Sequence, residues 1–288
     1  MATIFNTAAR AARFVPEVWI SGIFMALEAE LVLGSPLIVN RDYEGEIQAM
    51  GDTVRIPTVT DPTTQDYDPT VGFAGDPAEN TGASLTFEIE KAKAFRFRVE
   101  DITRVQSQIG GQYMDHGVQR AGRKLAEAAD SYIAQKLVDA VPSGNRLIDV
   151  DLTGTVDALY KQIVQVKVQL DKTNTPRRGR FMVITPDLHG LLLQDSRFVD
   201  ASQYASDAPI KNGVVGRILG FEVAVCNAMP TDVHLVAGHQ IATTFAEQLV
   251  EVEYYRPEKF FADAVRGLYV FGGQVMRPEH LAIGKIIP

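Results

Sequence analysis

The sequence predicts an α+β protein, because helical and extended patterns occupy separate stretches of the chain. Apolar and polar residues alternate from Leu85 to Glu100, which is the pattern of a half-buried strand. Apolar residues then recur at helical spacing in two stretches, 105–141 and 155–170. From residue 180 onward, short alternating segments and glycine-rich turns predict further strands.

The first part of the chain predicts a helix followed by a strand that leads outward. Pro16 suits a first helical turn, apolar residues recur at helical spacing through residue 33, and Gly34 ends the run. We interpret the residues before this helix as an exposed arm. Residues 53–58 then alternate, and Pro57 marks them as an edge strand.

Residues 60–84 form an acidic segment that carries five carboxylates and neither lysine nor arginine. Loops longer than about 12–15 residues are uncommon in compact domains and are usually functional or disordered. With the alternating strand that follows, the acidic segment predicts one long hairpin over residues 50–100 with an acidic tip. Residues 85–99 would extend about 50 Å at about 3.3 Å per residue, so we expect neighbouring chains to cover the apolar face of this hairpin.

The rest of the chain predicts two helices and then mostly strands. In the stretch 105–141, four glycines weaken the first half of the helix, so we expect a bend or fraying there. The stretch 155–170 predicts a second helix with Thr155 as its N-cap. After it, RFMVITP predicts a short buried strand and DLHGLLLQ a short helix. Residues 247–288 alternate again and predict strands.

Composition and charge exclude several classes of protein. The single cysteine, Cys226, excludes an intramolecular disulfide framework and a cysteine-built zinc site. No uninterrupted run of about 20 apolar residues occurs, so we expect no membrane span. The N-terminus lacks the apolar stretch of a signal peptide. The formal net charge of −8 argues against a protein that grips a phosphate backbone, and Pro176–Arg180 is best explained as a solvated basic loop.

The sequence contains no convincing catalytic constellation. Gly117 and Gly122 have the spacing of a phosphate-binding loop, but the required Lys-Ser or Lys-Thr pair does not follow them. His189 lies near Asp187 and Asp195 in sequence, without the serine elbow of a hydrolase. We therefore expect no enzymatic activity, no cofactor and no metal. A cytosolic hydrolase that uses His189 is the alternative from another class of protein.

The order of these segments resembles that of tailed-bacteriophage major capsid proteins with the Hong Kong 97 fold. The resemblance rests on the proline-started helix, the long return strand and long helix, and the segments NRDYEGEI, GDTVRIPTV, GRILGFEVAVCNAMP and VRGLYVFGGQVMRPEHLAIGKI. It implies a protein that assembles with itself into an icosahedral shell around the DNA genome of a phage. An encapsulin-like compartment shell has the same fold and is the alternative within this class.

The resemblance also implies a division of the chain into four parts. In this division, residues 1–49 form an N-terminal arm with the first helix, and residues 50–100 form an extended hairpin loop. Residues 101–149 and 247–288 form a peripheral domain with a long spine helix. Residues 150–246 form an axial domain. The polar segment 197–214 resembles the loop at the capsomer axis, and YYRPEKF resembles the loop that meets other capsomers.

The partners implied by the resemblance are copies of the same chain in pentamers and hexamers. Separate scaffolding, portal and decoration proteins are candidate partners, and packaged DNA is contacted weakly and without sequence specificity. The implied location is the virion capsid, assembled in the host cytoplasm, with no membrane. Contacts between subunits are expected at Phe87, Phe95, Phe97, Lys91, Lys93, Arg96, Arg98, Asp66, Asp68, Arg120, Arg123, Lys124, Arg256 and Lys259. In this scheme the acidic tip docks on basic residues of a neighbour. The candidates are Arg120, Arg123 and Lys124 of its long helix, which are preferred, and Arg10 and Arg13 of its arm.

Overall fold

The computed structural model describes residues 23, 25–27, 30–43, 51–57, 64, 69–70, 84–102, 113–147, 156–194 and 214–285. Its helices are α1 (Tyr113–Ala140), α2 (Val156–Lys172) and α3 (Pro186–Leu192). Its strands are β1 (Thr53–Pro57), β2 (Ser84–Glu88), β3 (Lys91–Glu100), β4 (Arg146–Leu147), β5 (Arg180–Ile184), β6 (Val214–Ile218), β7 (Phe221–Val225), β8 (Val233–His239), β9 (Thr243–Tyr255), β10 (Ala262–Val275) and β11 (Leu281–Lys285).

The long helix α1 packs on one face of an antiparallel sheet with the strand order β3-β10-β9. The sheet contributes Val265, Tyr269 and Phe271 from β10 to the main hydrophobic core, and α1 contributes Leu125 and Ile133 to the same core. These sheet residues alternate along β10, while the α1 residues recur at helical spacing. The alternating pattern of β10 and the helical pattern of α1 therefore place their apolar residues at the same helix–sheet interface.

A second, mixed sheet has the strand order β4-β11-β8-β5-β7-β6. Its central strand β5 is buried along its full length. Phe181 and Val183 of β5 point into the core shared with α1, whereas Met182 and Ile184 point into a second core formed with α2 and α3. Burial on both faces explains why Phe181 to Ile184 form a continuous apolar run instead of alternating.

Asp130 of α1 fixes the chain where it leaves the N-terminal helical residues. Its carboxylate accepts hydrogen bonds from three successive backbone N–H groups, those of Val32 (3.1 Å), Leu33 (2.9 Å) and Gly34 (3.3 Å). Burial raises the pKa of Asp130 to about 6, although the three N–H donors lower it. The carboxylate therefore remains charged at neutral pH and satisfies the donors of a buried turn.

The glycines of α1 allow close packing. The predicted fraying does not occur at Gly117 or Gly122, whereas Gly110 and Gly111 lie outside the described residues. The helix is continuous from Tyr113 to Ala140. A Cβ atom on Gly117 would lie 2.5 Å from the ring of Phe97, and one on Gly122 would lie 2.9 Å from the backbone oxygen of Ile23. The helix therefore accepts these poor helix formers because the β3 side chain and the N-terminal helical residues approach its backbone closely.

The single long strand predicted for residues 85–99 is also wrong. The chain forms β2 and then β3, with Ile89 and Glu90 between them. Strand β2 pairs with β1, from Thr53 opposite Glu88 to Pro57 opposite Ser84, whereas β3 pairs with β10. Alternation predicts a strand and its buried face, but it does not specify the partner strand, so one pattern extends across two different sheets.

The strand pairing departs from the predicted division of the chain at three points. Residues 91–100 belong to the sheet under α1, so the hairpin ends at β2. Strand β9 crosses the predicted boundary between residues 246 and 247. Strand β11, predicted within the peripheral domain, lies in the six-stranded sheet beside β8 and β4. The cores depend on strand pairing between residues far apart in sequence, which local patterns do not reveal.

Two histidines at the ends of neighbouring strands of the six-stranded sheet, His239 at the end of β8 and His280 before β11, have a lowered pKa. The Nε2–H group of His239 donates to the carbonyl oxygen of Arg178 at 2.7 Å, while its Nδ1 accepts from the Ile241 N–H at 3.1 Å. His280 Nδ1 lies 2.9 Å from the hydroxyl oxygen of Thr175. Burial is the main cause that lowers the pKa of both histidines below the usual value of 6.5.

We expect the His239→Gln variant to have a weaker dependence of stability on acid than the wild-type protein. Because the pKa of His239 is lower in the folded state than in the unfolded state, its contribution is complete above about pH 6.5 and is lost as the pH falls through the folded value. The measurement is the free energy of unfolding in urea between about pH 7.5 and pH 5. His116→Gln on the exposed surface of α1 is the control, and equal slopes for wild type and His239→Gln would contradict the prediction.

Candidate inter-subunit surface

The turn between β9 and β10 (the β9–β10 turn, residues 256–261) presents an aromatic side chain to solvent. Phe261 is 88% exposed, the highest value among the exposed large apolar residues described. The guanidinium of Arg98 lies 3.5 Å from the ring centroid of Phe260, and Arg256 pairs with Asp101. These contacts hold the turn against β3 and the residue that follows it, so the ring of Phe261 projects from a supported loop.

The face of the three-stranded sheet opposite α1 is half covered by the chain itself. Phe87 and Ile89 are buried against Ala246 and Val270, with Val54, Ile56 and Met276 at the edge of this cluster. A Cβ atom on Gly272 would lie 2.4 Å from the carbonyl oxygen of Glu88, so the glycine lets the base of the β1–β2 hairpin approach β10. The hairpin therefore covers the Val270 end of the face.

The other half of this face forms an open groove between β3 and β9. It is lined by Ala94, Phe95, Arg96, Glu251, Glu253, Arg266, Gly267 and Leu268. Glu253 pairs with Arg266, which lowers the pKa of Glu253. The hydrogen bond that Glu251 shares with Glu253 is the main cause that raises the pKa of Glu251. The groove is thus acidic along β9 and basic along β10 and β3.

Four cations lie exposed along β3, which pairs only with β10 among the strands that the structure describes. These are Lys91, Lys93, Arg96 and Arg98, which we call the β3 edge. Arg98 also lies 3.4 Å from Glu100. Three of the four cations, namely Lys91, Lys93 and Arg96, form no salt bridge within the described part of the chain.

The basic residues predicted on the long helix are exposed, but two of them are already paired. Arg123 forms a salt bridge of 2.5 Å with Glu30, and Lys124 forms one of 2.5 Å with Glu127. Arg120 is exposed on the same helix. The helix therefore offers an acidic partner fewer unpaired cations than the sequence predicted.

The predicted apolar contacts need the largest correction. Phe87 has no exposed surface, because the chain's own sheet covers it, so its side chain cannot contact a neighbour. Phe95 and Phe97 are half-buried and pack against the main core under α1. Arg256 and Lys259 are exposed at the β9–β10 turn as expected for contact residues, whereas Asp66 and Asp68 lie outside the described residues.

The sequence reasoning singled out the β9–β10 turn but not Phe261. The available signal was the pair of aromatic residues directly after Pro257, Glu258 and Lys259, since turn residues followed by large apolar ones at a strand start can place a ring in solvent. The alternating pattern of β10 begins at Ala262, so Phe261 has no place on its buried face.

His189 has no catalytic arrangement around it in the described part of the chain. It lies half-buried on α3, and its Nε2 atom has no hydrogen-bond partner there. Asp187 is exposed in the first turn of α3, and Asp195 lies outside the described residues. No group of three or more His, Cys, Asp or Glu side chains with metal-binding geometry occurs in the residues described. None of the helices described is both long enough and apolar enough to cross a membrane.

Comparison with known proteins identifies the class to which this fold belongs. The profile of a family described as phage capsid protein matches residues 82–284. The chain therefore belongs to this family of phage capsid proteins. No curated protein sequence matches the chain.

Solved structures share the fold over most of the chain. A structure from Mycobacterium phage Che8 has 27% identity and a TM-score of 0.69, with 89% of this chain and 91% of that chain covered. The capsid of the cyanophage P-SCSP1u has 15% identity and a TM-score of 0.64, with coverage of 84% and 85%. A virus-like particle from Pyrococcus furiosus has 12% identity and a TM-score of 0.61, with coverage of 93% and 97%.

These comparisons confirm the predicted α+β architecture of the Hong Kong 97 type and the capsid function. The likeness to the Pyrococcus furiosus particle concerns the fold alone, at 12% identity. The family match therefore distinguishes between the two shell interpretations and favours a phage capsid over an encapsulin-like compartment.

Proposed function

We propose that copies of this capsid protein assemble through pentamers and hexamers into a closed icosahedral shell around phage DNA. The observation that carries the proposal is the family match over residues 82–284. The formal net charge of −8 fits a shell that contacts packaged DNA weakly and without sequence specificity. We further propose that assembly takes place in the host cytoplasm, with scaffolding, portal and decoration proteins as additional partners.

The proposed division of the subunit follows its sheets. The peripheral domain comprises α1 with the three-stranded sheet, and the axial domain comprises the six-stranded sheet with α2 and α3. The extended loop is the β1–β2 hairpin with the acidic segment that joins its strands. The six-stranded sheet forms a core of its own with α2 and α3, whereas the main core is shared by α1, the three-stranded sheet and the other face of the six-stranded sheet.

The proposed function is tested by the size and content of the purified particles. Sedimentation velocity and electron microscopy should find particles of megadalton mass with icosahedral symmetry. A protein that stays monomeric over a wide range of concentration and salt would contradict the proposal. Particles that enclose protein cargo when produced in the absence of other phage proteins would instead support the compartment interpretation.

We propose that the β9–β10 turn contacts a neighbouring subunit in the shell. Phe261→Ser should reduce the yield of assembled shells strongly, while the stability of the unassembled subunit changes by no more than about 0.5 kcal/mol, because the ring is 88% exposed. Assembly is followed by light scattering, and stability by urea unfolding. Glu258→Ser, on the same turn, is the control. Normal shells from Phe261→Ser at wild-type yield would show that the ring is not buried on assembly.

A further inference from the structure

We propose that one end of the six-stranded sheet is the surface through which the subunit contacts the phosphate backbone of packaged DNA. This surface, which we call the basic end, comprises residues 172–179, 240–242 and 276–280. The assignment rests on the proposed function and deepens it, because it names the residues of a shell subunit that meet the genome. It replaces the interpretation of Pro176–Arg180 as a solvated basic loop.

Three connecting segments meet at the basic end, because the strands that they join lie side by side. Strand β8 pairs with β5 on one side and with β11 on the other. The N–H group of Gln240 donates to the carbonyl oxygen of Gly179 at 3.3 Å, and the N–H group of Arg277 donates to that of Ala242 at 3.1 Å. The turn after β8 thus connects the loop before β5 to the turn before β11.

Buried side chains fix the backbone of the loop 173–179. Arg180 is 4% exposed, and its guanidinium donates to the carbonyl oxygen of Thr175 at 2.6 Å. The Nε2–H group of His239, also buried, donates to the carbonyl oxygen of Arg178 at 2.7 Å. A solvated loop needs no such support, whereas a loop that is fixed before its ligand arrives loses less entropy on binding.

The exposed cations of the basic end have no acidic partner, since none of them forms a salt bridge with a residue that the structure describes. They are Lys172, Arg177, Arg178 and Arg277. The acidic side chains on these segments and next to them are Asp171, which already pairs with Arg180 at 2.7 Å, and Glu279. The local charge is therefore positive, although the net charge of the whole chain is −8.

The composition of the basic end fits a phosphate backbone better than another protein. A guanidinium group can donate two parallel N–H bonds to one phosphate. A lasting contact between proteins has an apolar centre, but Ile241, at 43% exposure, is the only large apolar side chain that these three described segments expose. A few cations on an otherwise acidic chain give a contact that is weak and independent of DNA sequence.

The test is the affinity of unassembled subunits for a short DNA duplex of random sequence, measured by fluorescence anisotropy in a series of salt concentrations. Arg177→Ala with Arg178→Ala should weaken binding at least about tenfold at low salt. It should also reduce the slope of log affinity against log salt by about 2, since each phosphate contact contributes about 0.9. Arg277→Ala should reduce the slope by about 1.

The control pair is Arg120→Ala with Lys161→Ala, at exposed positions of α1 and α2. It makes the same change in net charge and should leave the affinity for the duplex within about twofold of wild type. The midpoint of urea unfolding should be unchanged in every variant, because each substituted side chain is exposed and forms no salt bridge with a described residue. Equal weakening by the control pair, or a double variant that binds the duplex like wild type, would overturn the proposal.

Shell assembly without DNA distinguishes a nucleic-acid contact from a contact with an acidic protein segment. Followed by light scattering, Arg177→Ala with Arg178→Ala should assemble at the wild-type rate. Slower assembly would show that the basic end contacts another protein chain and would overturn the proposal, while shells still form. A wild-type protein that forms no shells would instead overturn the proposed function.

Discussion

Asp130→Ala is expected to lower the free energy of unfolding by about 2–4 kcal/mol, because it removes the shared acceptor of three backbone N–H groups. A buried donor without a partner costs about 1–3 kcal/mol, and the carboxylate is itself only 4% exposed. Part of this loss is offset, because the variant no longer has to bury a charged carboxylate, the desolvation of which raises the pKa of Asp130 to about 6.

Urea unfolding of the unassembled subunit at neutral pH measures this effect. Asp139→Ala on the same helix is the matched control, because Asp139 is exposed and accepts one side-chain hydrogen bond, from Gln135. Its expected change is no more than about 0.5 kcal/mol. Hydrogen exchange at Val32, Leu33 and Gly34 should accelerate in Asp130→Ala alone. Equal stability of the two variants would show that Asp130 does not hold the turn.

Local patterns in the sequence were sufficient to predict elements that pair with an adjacent segment or that are buried on one face. The stripe of Leu159, Ile163, Val166 and Leu170 predicted α2, and all four residues are buried in the second core. The hairpin of β6 and β7 also follows the predicted strands, since only Leu219 and Gly220 separate them. In such cases one periodicity and one turn determine the element.

Contacts between distant residues could not be predicted in the same way. Asp130 binds N–H groups almost a hundred positions earlier in the chain, and a lone aspartate on a helix carries no signal of that partner. The change of partner between β2 and β3 depends on Gly272, which lets the Glu88 carbonyl approach β10. A glycine within an alternating strand indicates a close approach, but the approaching group is visible only in the fold.

The candidate inter-subunit surface was also predicted only in part from the sequence. Alternation correctly placed Arg96 and Arg98 on the exposed face of β3 and Phe95 and Phe97 on the opposite face. What covers the phenylalanines was predicted wrongly, because the sequence suggested a strand longer than any single domain could cover. In the fold, α1 supplies that cover within the same chain.

Phe97→Asp is therefore expected to unfold the subunit itself, before any effect on assembly. The ring of Phe97 lies opposite Val265 across the sheet and so close to α1 that a Cβ atom on Gly117 would be 2.5 Å away from it. It also stacks on Phe95, with ring centroids 6.5 Å apart. Removing the ring leaves a gap under the helix and places a carboxylate there, which we expect to cost about 2–4 kcal/mol for this half-buried site.

The stability of the unassembled subunit distinguishes this prediction from the one made from the sequence alone. Arg96→Asp is the control, because it introduces the same side chain one position away on the exposed face of β3 and removes the repulsion with Arg266. It should change the free energy of unfolding by no more than about 0.5 kcal/mol. If Phe97→Asp subunits are as stable as wild type and fail only to assemble, a neighbouring subunit covers the ring. A loss of stability seen in dilute, unassembled protein would show that α1 covers it, since a domain with about 5–15 kcal/mol of total stability cannot absorb such a change unnoticed.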